Sequence, residues 1–230
     1  TVVARQITVT TATRSWQYDA NTHFDNSATV SRDSDMLARG HKLAPVSYPT
    51  VSLVRDGEVV NDVLYVVMSG DTDVTSNYAI AYVYGTIQIT PRKITVQTDA
   101  GNWTYDGLPH SAPNFKCVSG TVVDGQQLVA TSDWTSVTNV ADTGTRGIDN
   151  ANTFAIFADG NDVTANYEIR TRFQKLRILA RAITVSTGDG EWKYDATEHS
   201  NTAWDEATNL DGTLADGQTI VVTVTGAVTD

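Results

Sequence analysis

One stretch, Arg92-Lys-Ile-Thr-Val-Gln-Thr-Asp-Ala-Gly-Asn-Trp-Thr-Tyr-Asp106, recurs three times in this chain, and that repetition limits what the chain can fold into. Arg5-Gln-Ile7-Thr-Val9 with Trp16-Gln-Tyr18-Asp19 stands before it. Arg181-Ala-Ile183-Thr-Val185 with Trp192-Lys-Tyr194-Asp195 stands after it. The tryptophans at 16, 103 and 192 set a period of 87 to 89 residues. A period of that length is domain-sized and too long for solenoid units, so each copy is expected to bury its own core. The frame is therefore a unit at 1–91, a second at 92–180, and the leading part of a third at 181–230.

Each unit opens on an alternating strand: Ile7 and Val9, Ile94 and Val96, or Ile183 and Val185 face one way, with threonines facing the other. After a turn, Trp and Tyr at i and i+2 share one face of a second strand that ends at Asp19, Asp106 or Asp195. A histidine follows each Asp by four residues, at His23, His110 and His199. Turns at Arg39-Gly40-His41, Asp124-Gly125-Gln126 and Asp216-Gly217-Gln218 come next, and apolar alternation resumes after them, as at Val222 and Val224. The first two units also share Asp73-Val-Thr-Ser-Asn77-Tyr78 and Asp162-Val-Thr-Ala-Asn166-Tyr167, then a closing strand, Ile87-Gln-Ile89 or Leu176-Arg-Ile178. Only Thr90-Pro91 or Leu179-Ala180 separates one unit from the next, too short for a flexible linker, so neighbouring units are expected at a nearly fixed angle.

The expected class is all-β, built as tandem Ig-like β-sandwiches. A β-grasp unit is the alternative, and it needs a helix that only Ser31 to Gly40 could supply. The third unit has no counterpart of roughly residues 140–179 once Val228 is aligned with Val137. Either the sequence stops inside a domain, the favoured reading, or a strand from another chain completes it, because an open β edge is a liability.

Composition bounds the partners. The chain carries a net charge of −11, with 16 Lys and Arg against 27 Asp and Glu, which disfavours nucleic acid and anionic membrane surfaces. The excess is greatest in 181–230, where Arg181 and Lys193 face nine acidic residues. No apolar run is long enough to span a bilayer. The single cysteine, Cys117, cannot form an intrachain disulfide and is expected to be a small buried hydrophobe.

Ile-Thr-Val, Trp-x-Tyr-Asp, the turns at Gly120-Thr-Val and Gly212-Thr-Leu, Asp-Gly-Gln, Asp-Val-Thr-x-Asn-Tyr and Gly85-Thr-Ile-Gln-Ile-Thr together resemble the YDG/MBG-type tandem repeats of bacterial cell-surface proteins. The first unit departs from the pattern with Asp19-Ala20 and Arg39-Gly40-His41. The resemblance implies an extracellular stalk or adhesin segment of a larger surface protein. It implies no catalytic residues.

Each candidate site has a packing role as its alternative. Trp16, Tyr18 and His23, with Trp103, Tyr105 and His110 and with Trp192, Tyr194 and His199, could form an aromatic patch with an Asp–His pair. Glycans or mucins favour such platforms, and an array of weak sites gains by avidity. The packing reading, in which the aromatics are core and Asp caps a turn, is the favoured one. No spacing supports a Ser-His-Asp triad, so an enzyme is not expected. Asp71 with Asp73, and Asp159 with Asp162, are candidate Ca2+ ligands, although a hard cation wants six or more oxygens and these loops supply few. Lys93 alone among the lysines falls in a buried-strand pattern that a Lys-Asn crosslink would need, and its counterparts Gln6 and Ala182 cannot react. Host or neighbouring-cell surface glycans or proteins, and adjacent repeats of the same chain, are the expected partners.

Overall fold

The computed structural model describes residues 1–31 and 36–229. The first repeat contains β1 (Arg5–Thr11), β2 (Arg14–Gln17), β3 (Ala28–Val30), β4 (His41–Ser47), β5 (Val59–Val60), β6 (Leu64–Ser69), β7 (Thr72–Asp73), β8 (Tyr78–Val83) and β9 (Thr86–Thr90). The period-2 pattern of β1 buries Ile7, Val9 and Thr11. That strand lies between β3, antiparallel, and β8, parallel, with Ile7 opposite Ile80. A second small sheet runs β4-β6-β7. Ile7, Val9, Val63, Tyr65, Val67 and Tyr78 form one buried cluster. Each fully buried aliphatic side chain there contributes about 1.5–3 kcal/mol. A third sheet, β2-β9-β5, pairs β2 in parallel with β9 and sets Trp16 opposite Ile89.

The second repeat restates this order as β10 (Arg92–Thr98), β11 (Gly101–Thr104), β12 (Phe115–Ser119), β13 (Gln126–Ala130), β14 (Ile148–Asp149), β15 (Phe154–Ala158), β16 (Asn161–Asp162), β17 (Tyr167–Arg172) and β18 (Lys175–Leu179). Its sheets run β12-β10-β17, β13-β15-β16 and β11-β18-β14, the counterparts of those in the first repeat. Among its described residues the third repeat forms only β19 (Thr184–Val185) and β20 (Leu210–Asp211). Among the described residues, helix is limited to the single turns α1 (Val140–Thr143) and α2 (Glu206–Asn209), together with three 3-10 turns. The class is all-β.

Several local expectations are corrected. The helix expected over Ser31 to Gly40 lies partly outside the described residues; Met36 to Gly40 form a bend and a turn, so the β-grasp helix has no support among the described residues. No strand forms over Val222 and Val224, although both are half-buried and alternate with exposed Val221, Thr223 and Thr225. Cys117 is exposed, because β12 is an outer strand of its sheet. Lys93 lies in β10 but is not buried, its side chain being 66% exposed and its ammonium 3.5 Å from Glu168.

Compactness does not follow the sequence period. One compact unit holds residues 1–96, 117–131 and 153–171; the other holds 97–116, 132–152 and 172–230. Each unit therefore contains one join between successive repeats, the first at Pro91 and the second at Ala180.

Candidate functional site

The Trp-x-Tyr-Asp motif folds three times into the same corner. Trp16 and Trp103 sit on β2 and β11, opposite Ile89 and Ile178 of the closing strands β9 and β18. Each Asp then accepts the backbone N–H two residues on, from Asn21, Leu108 or Thr197. This is the turn chemistry expected of Asp. The residue after Asp is left-handed in all three, with φ of 66° at Ala20, 82° at Gly107 and 61° at Ala196. Only Gly107 suits that conformation without strain.

The turn returns the histidine to its own motif. His23, His110 and His199 place Nε2 at 2.8, 2.9 and 2.8 Å from the Asp Oδ1. Their rings stack on Trp16, Trp103 and Trp192 at centroid distances of 5.0, 4.9 and 5.4 Å. Their backbones bridge to Val51, Val137 and Val228. A Cβ on Gly101 would meet the Trp103 ring at 2.0 Å, and one on Gly190 would meet Trp192 at 2.1 Å, so the indole lies directly over that glycine. In the first repeat Arg14 occupies this position, its guanidinium 5.4 Å from the Trp16 ring centroid.

Electrostatics fix the direction of the pair. Burial pushes the Asp19 carboxyl up, but hydrogen bonds from His23 and Asn21 outweigh it and hold the group at about 2, against an ordinary 3.8. Asp106 is lowered chiefly by the Leu108 amide and then by His110; Asp195 is lowered chiefly by the Thr197 hydroxyl and then by His199. An ionised carboxylate only accepts, so each histidine Nε2 carries hydrogen. Thr197 Oγ1 lies 3.4 Å from His199 Nε2, but that nitrogen already donates to Asp195 and is no base for the hydroxyl.

The tyrosine of the motif points to the next repeat. Tyr18 is 3% exposed, and its hydroxyl accepts from Gln126 Nε2 at 3.0 Å. Gln126 Oε1 in turn accepts from the Tyr167 hydroxyl at 2.6 Å, and the two tyrosine rings meet edge to face at 5.5 Å. Arg92 donates to the carbonyls of Tyr18 and Thr121, and Val54 N donates to Asn166 Oδ1. The second join repeats the device: Gln218 Nε2 donates to the Tyr105 hydroxyl, and Arg181 donates to the Tyr105 carbonyl and to Thr213 Oγ1. Sequence reading treated Asp-Gly-Gln as a turn and missed this role of its glutamine. It also missed Asn61 and Asn150, fully buried and 89 residues apart, which donate to Ala12 and Asp25 carbonyls and to Asp99 and Ala112 carbonyls. Their recurrence at one period was the available signal.

The third corner differs in its surroundings. Trp192 is 41% exposed and Tyr194 78%. A cavity of about 360 Å³ opens beside Trp192, Tyr194, Asp195, His199 and Val228. A second, of about 250 Å³, is lined by Tyr105, Val140, Arg181, Ile183, Ala215 and Gln218.

Among the described residues, no group of three or more His, Cys, Asp or Glu is placed to hold a metal ion, and no helix is long and apolar enough to cross a membrane. Asp73 and Asp162 instead cap the turns that follow them, each accepting from a threonine amide, Thr75 or Thr164, at 2.8 Å. Asp71 and Asp159 are exposed, in the tight turns before them.

No protein-family model and no curated protein matches the chain. One solved structure that it is similar to is an endo-fucoidan hydrolase from glycoside hydrolase family 107, at 11% identity and a TM-score of 0.23. That match covers 76% of this chain and 29% of the hydrolase. A likeness of that size carries no argument about fold or function.

Proposed function

We propose that this chain is a structural and adhesive segment of a bacterial surface protein. In this reading, tandem Ig-like modules form a semi-rigid extracellular stalk that presents a binding region, and no module is an enzyme. The observation that supports it is the join: Tyr18 buried against Arg92, Gln126 and Tyr167, with Arg181, Tyr105 and Gln218 restating the contact one period later. Side chains that lock successive repeats suit a spacer that transmits position. A ligand site would need no such lock.

The test is whether the first join is stiff. Residual dipolar couplings on the full chain should fit one alignment tensor for residues 1–91 together with 117–131 and 153–171. The double variant Arg92→Ala with Gln126→Ala should need two. Two tensors in the unaltered chain would overturn the reading. Surface location is tested separately, by antibody labelling of intact source cells before and after permeabilisation.

A glycan-binding reading draws only on the open cavity beside Trp192 and Tyr194. It would be supported by oligosaccharide binding that Trp192→Ala abolishes and Trp103→Ala leaves intact.

A further inference from the structure

β8 is the last strand of the sheet β3-β1-β8, and among the described residues no strand pairs with its other side. That outer place does not depend on what precedes residue 1, because β17 has a whole repeat before it and is likewise last in its sheet. The two strands differ in what they show to solvent. Tyr78, Ile80 and Tyr82 pack against the buried cluster of the first repeat, while Ala79, Ala81 and Val83 alternate with them and are exposed. The corresponding outward residues of β17 are Glu168, Arg170 and Arg172. Edge strands are ordinarily kept from pairing by charge, proline or a bulge. β8 carries no charged residue and no proline, and its register against β1 runs unbroken over six residues.

The strand reads Tyr78-Ala79-Ile80-Ala81-Tyr82, the same in both directions. We propose that β8 is a self-association edge, at which two copies of this chain pair their β8 strands antiparallel about a two-fold axis at Ile80. Ala79 then lies opposite the partner's Ala81, Tyr78 opposite the partner's Tyr82, and Ile80 opposite the partner's Ile80, every contact off the axis being made twice, as an isologous interface requires. A foreign strand needs no palindrome. A two-fold pair needs each residue to suit its mirror position, and this sequence meets that need at all five places. The new ladder satisfies edge groups that β8 otherwise leaves to water, and it continues the sheet through the partner's copy. Opposed alanines, about 5 Å apart at Cβ, bring apolar rows together where opposed like charges would repel. Nothing bulky obstructs the approach: the small outward side chains leave a shallow cavity of about 340 Å³ over Gln6, Thr8, Ala79 and Ala81. The side chains of Ile80 and Tyr82 keep their inward contacts, so pairing asks no rearrangement of the core. An edge contact of five residues buries less than about 1,200 Å², and a charge of −11 on each copy opposes it, so the pair is weak alone and gains where copies are held side by side. This surface is separate from the joins and stands or falls independently of the stalk reading.

Sedimentation of the full chain between about 1 µM and 1 mM should show a monomer–dimer equilibrium. Ala79→Lys with Ala81→Lys sets like charges opposite each other twice and should weaken it by at least about a hundredfold; Ala79→Glu with Ala81→Glu should do the same. Both are expected to fold, since β17 carries charged residues at these two places. An equimolar mixture of the lysine and glutamate variants should dimerise again. Register is read by disulfide trapping in a Cys117→Ser background: Ala79→Cys mixed with Ala81→Cys should crosslink at least about tenfold faster than either variant alone. A chain that stays monomeric at about 1 mM overturns the proposal. A dimer that persists undiminished in the lysine variant overturns it too, because another surface then holds the copies. So does a mixture that stays monomeric although both variants melt like the unaltered chain, and so does trapping no faster in the mixed sample than in the single ones.

Discussion

The second and third Trp-x-Tyr-Asp corners share nearly every local bond and differ in what covers them. His110 and Val137 exchange backbone hydrogen bonds of 2.8 and 2.9 Å; His199 and Val228 exchange 2.9 and 3.0 Å. The Asp–His distance and the Trp–His stack are equally reproduced. Trp192 is nevertheless 41% exposed, and Val228 is 57% exposed where Val137 is 2%. The corner is thus a local structure written in about eight consecutive residues. Its burial is a separate matter, supplied by a closing strand more than seventy residues further along the chain.

The same division explains the strands. β10 runs seven residues and β13 five, while their third-repeat counterparts give two residues at β19 and none after Gln218. The side-chain patterns are alike, so propensity does not decide. β13 pairs residue for residue with β15, and 218–222 has no such neighbour among the described residues. A strand without a partner keeps its backbone groups in water and forms no ladder.

The largest effect expected is from removing the cover of the second corner. Leu176→Ala, at a fully buried site, should cost about 2–5 kcal/mol in urea unfolding and raise the solvent exposure of Trp103 toward that of Trp192. If Trp103 quenching is unchanged, the closing strand is not what separates the two corners.

A smaller difference should come from the glycine under each indole. Gly101→Ala must displace a covered ring and should lower stability by about 1–3 kcal/mol, whereas Gly190→Ala acts on a ring free to shift and should cost less. Equal losses in thermal melts would break the comparison.

The joins give a third contrast. Gln126→Ala takes one hydrogen-bond partner from each of two tyrosine hydroxyls, beside the buried Tyr18, and should cost about 1–3 kcal/mol. Gln218→Ala, an exposed contact with one hydroxyl, should fall within about 0.5 kcal/mol.

Smallest is the acid response. The folded Asp19 carboxyl titrates at about 2 against an ordinary 3.8, so its contribution to stability is present in full above about pH 4 and is lost as pH falls toward 2. Asp19→Asn should flatten that part of the stability profile, and an unchanged slope between pH 4 and 2 would remove the His23 brace from the account.

Much of this was legible in the residues. Period-2 patterning placed Ile94 and Val96 in the core, and the four-residue spacing allowed the Asp–His bond. The join was not legible, because Gln126 finds Tyr18 across 108 positions and no local pattern marks a turn residue as a long-range donor. Parallel pairing of β2 with β9 was hidden for the same reason: no hairpin turn encodes it. Cys117 misled because residue type was read as burial, and Lys93 because strand position was; the outer place of β12 and the reach of a lysine stem bring both to solvent.

Amide exchange at matched bonds separates what the corner's own geometry supplies from what the closing strand adds. The amides of His110 and Val137 make the same bonds as those of His199 and Val228, so local geometry alone predicts equal protection. Protection should be at least about a hundredfold greater for the 110–137 pair in the same sample, the consequence of roughly 3 kcal/mol of added burial. Equal protection in a monodisperse chain would show that the corner needs no closing strand, and that the folding unit is shorter than the repeat.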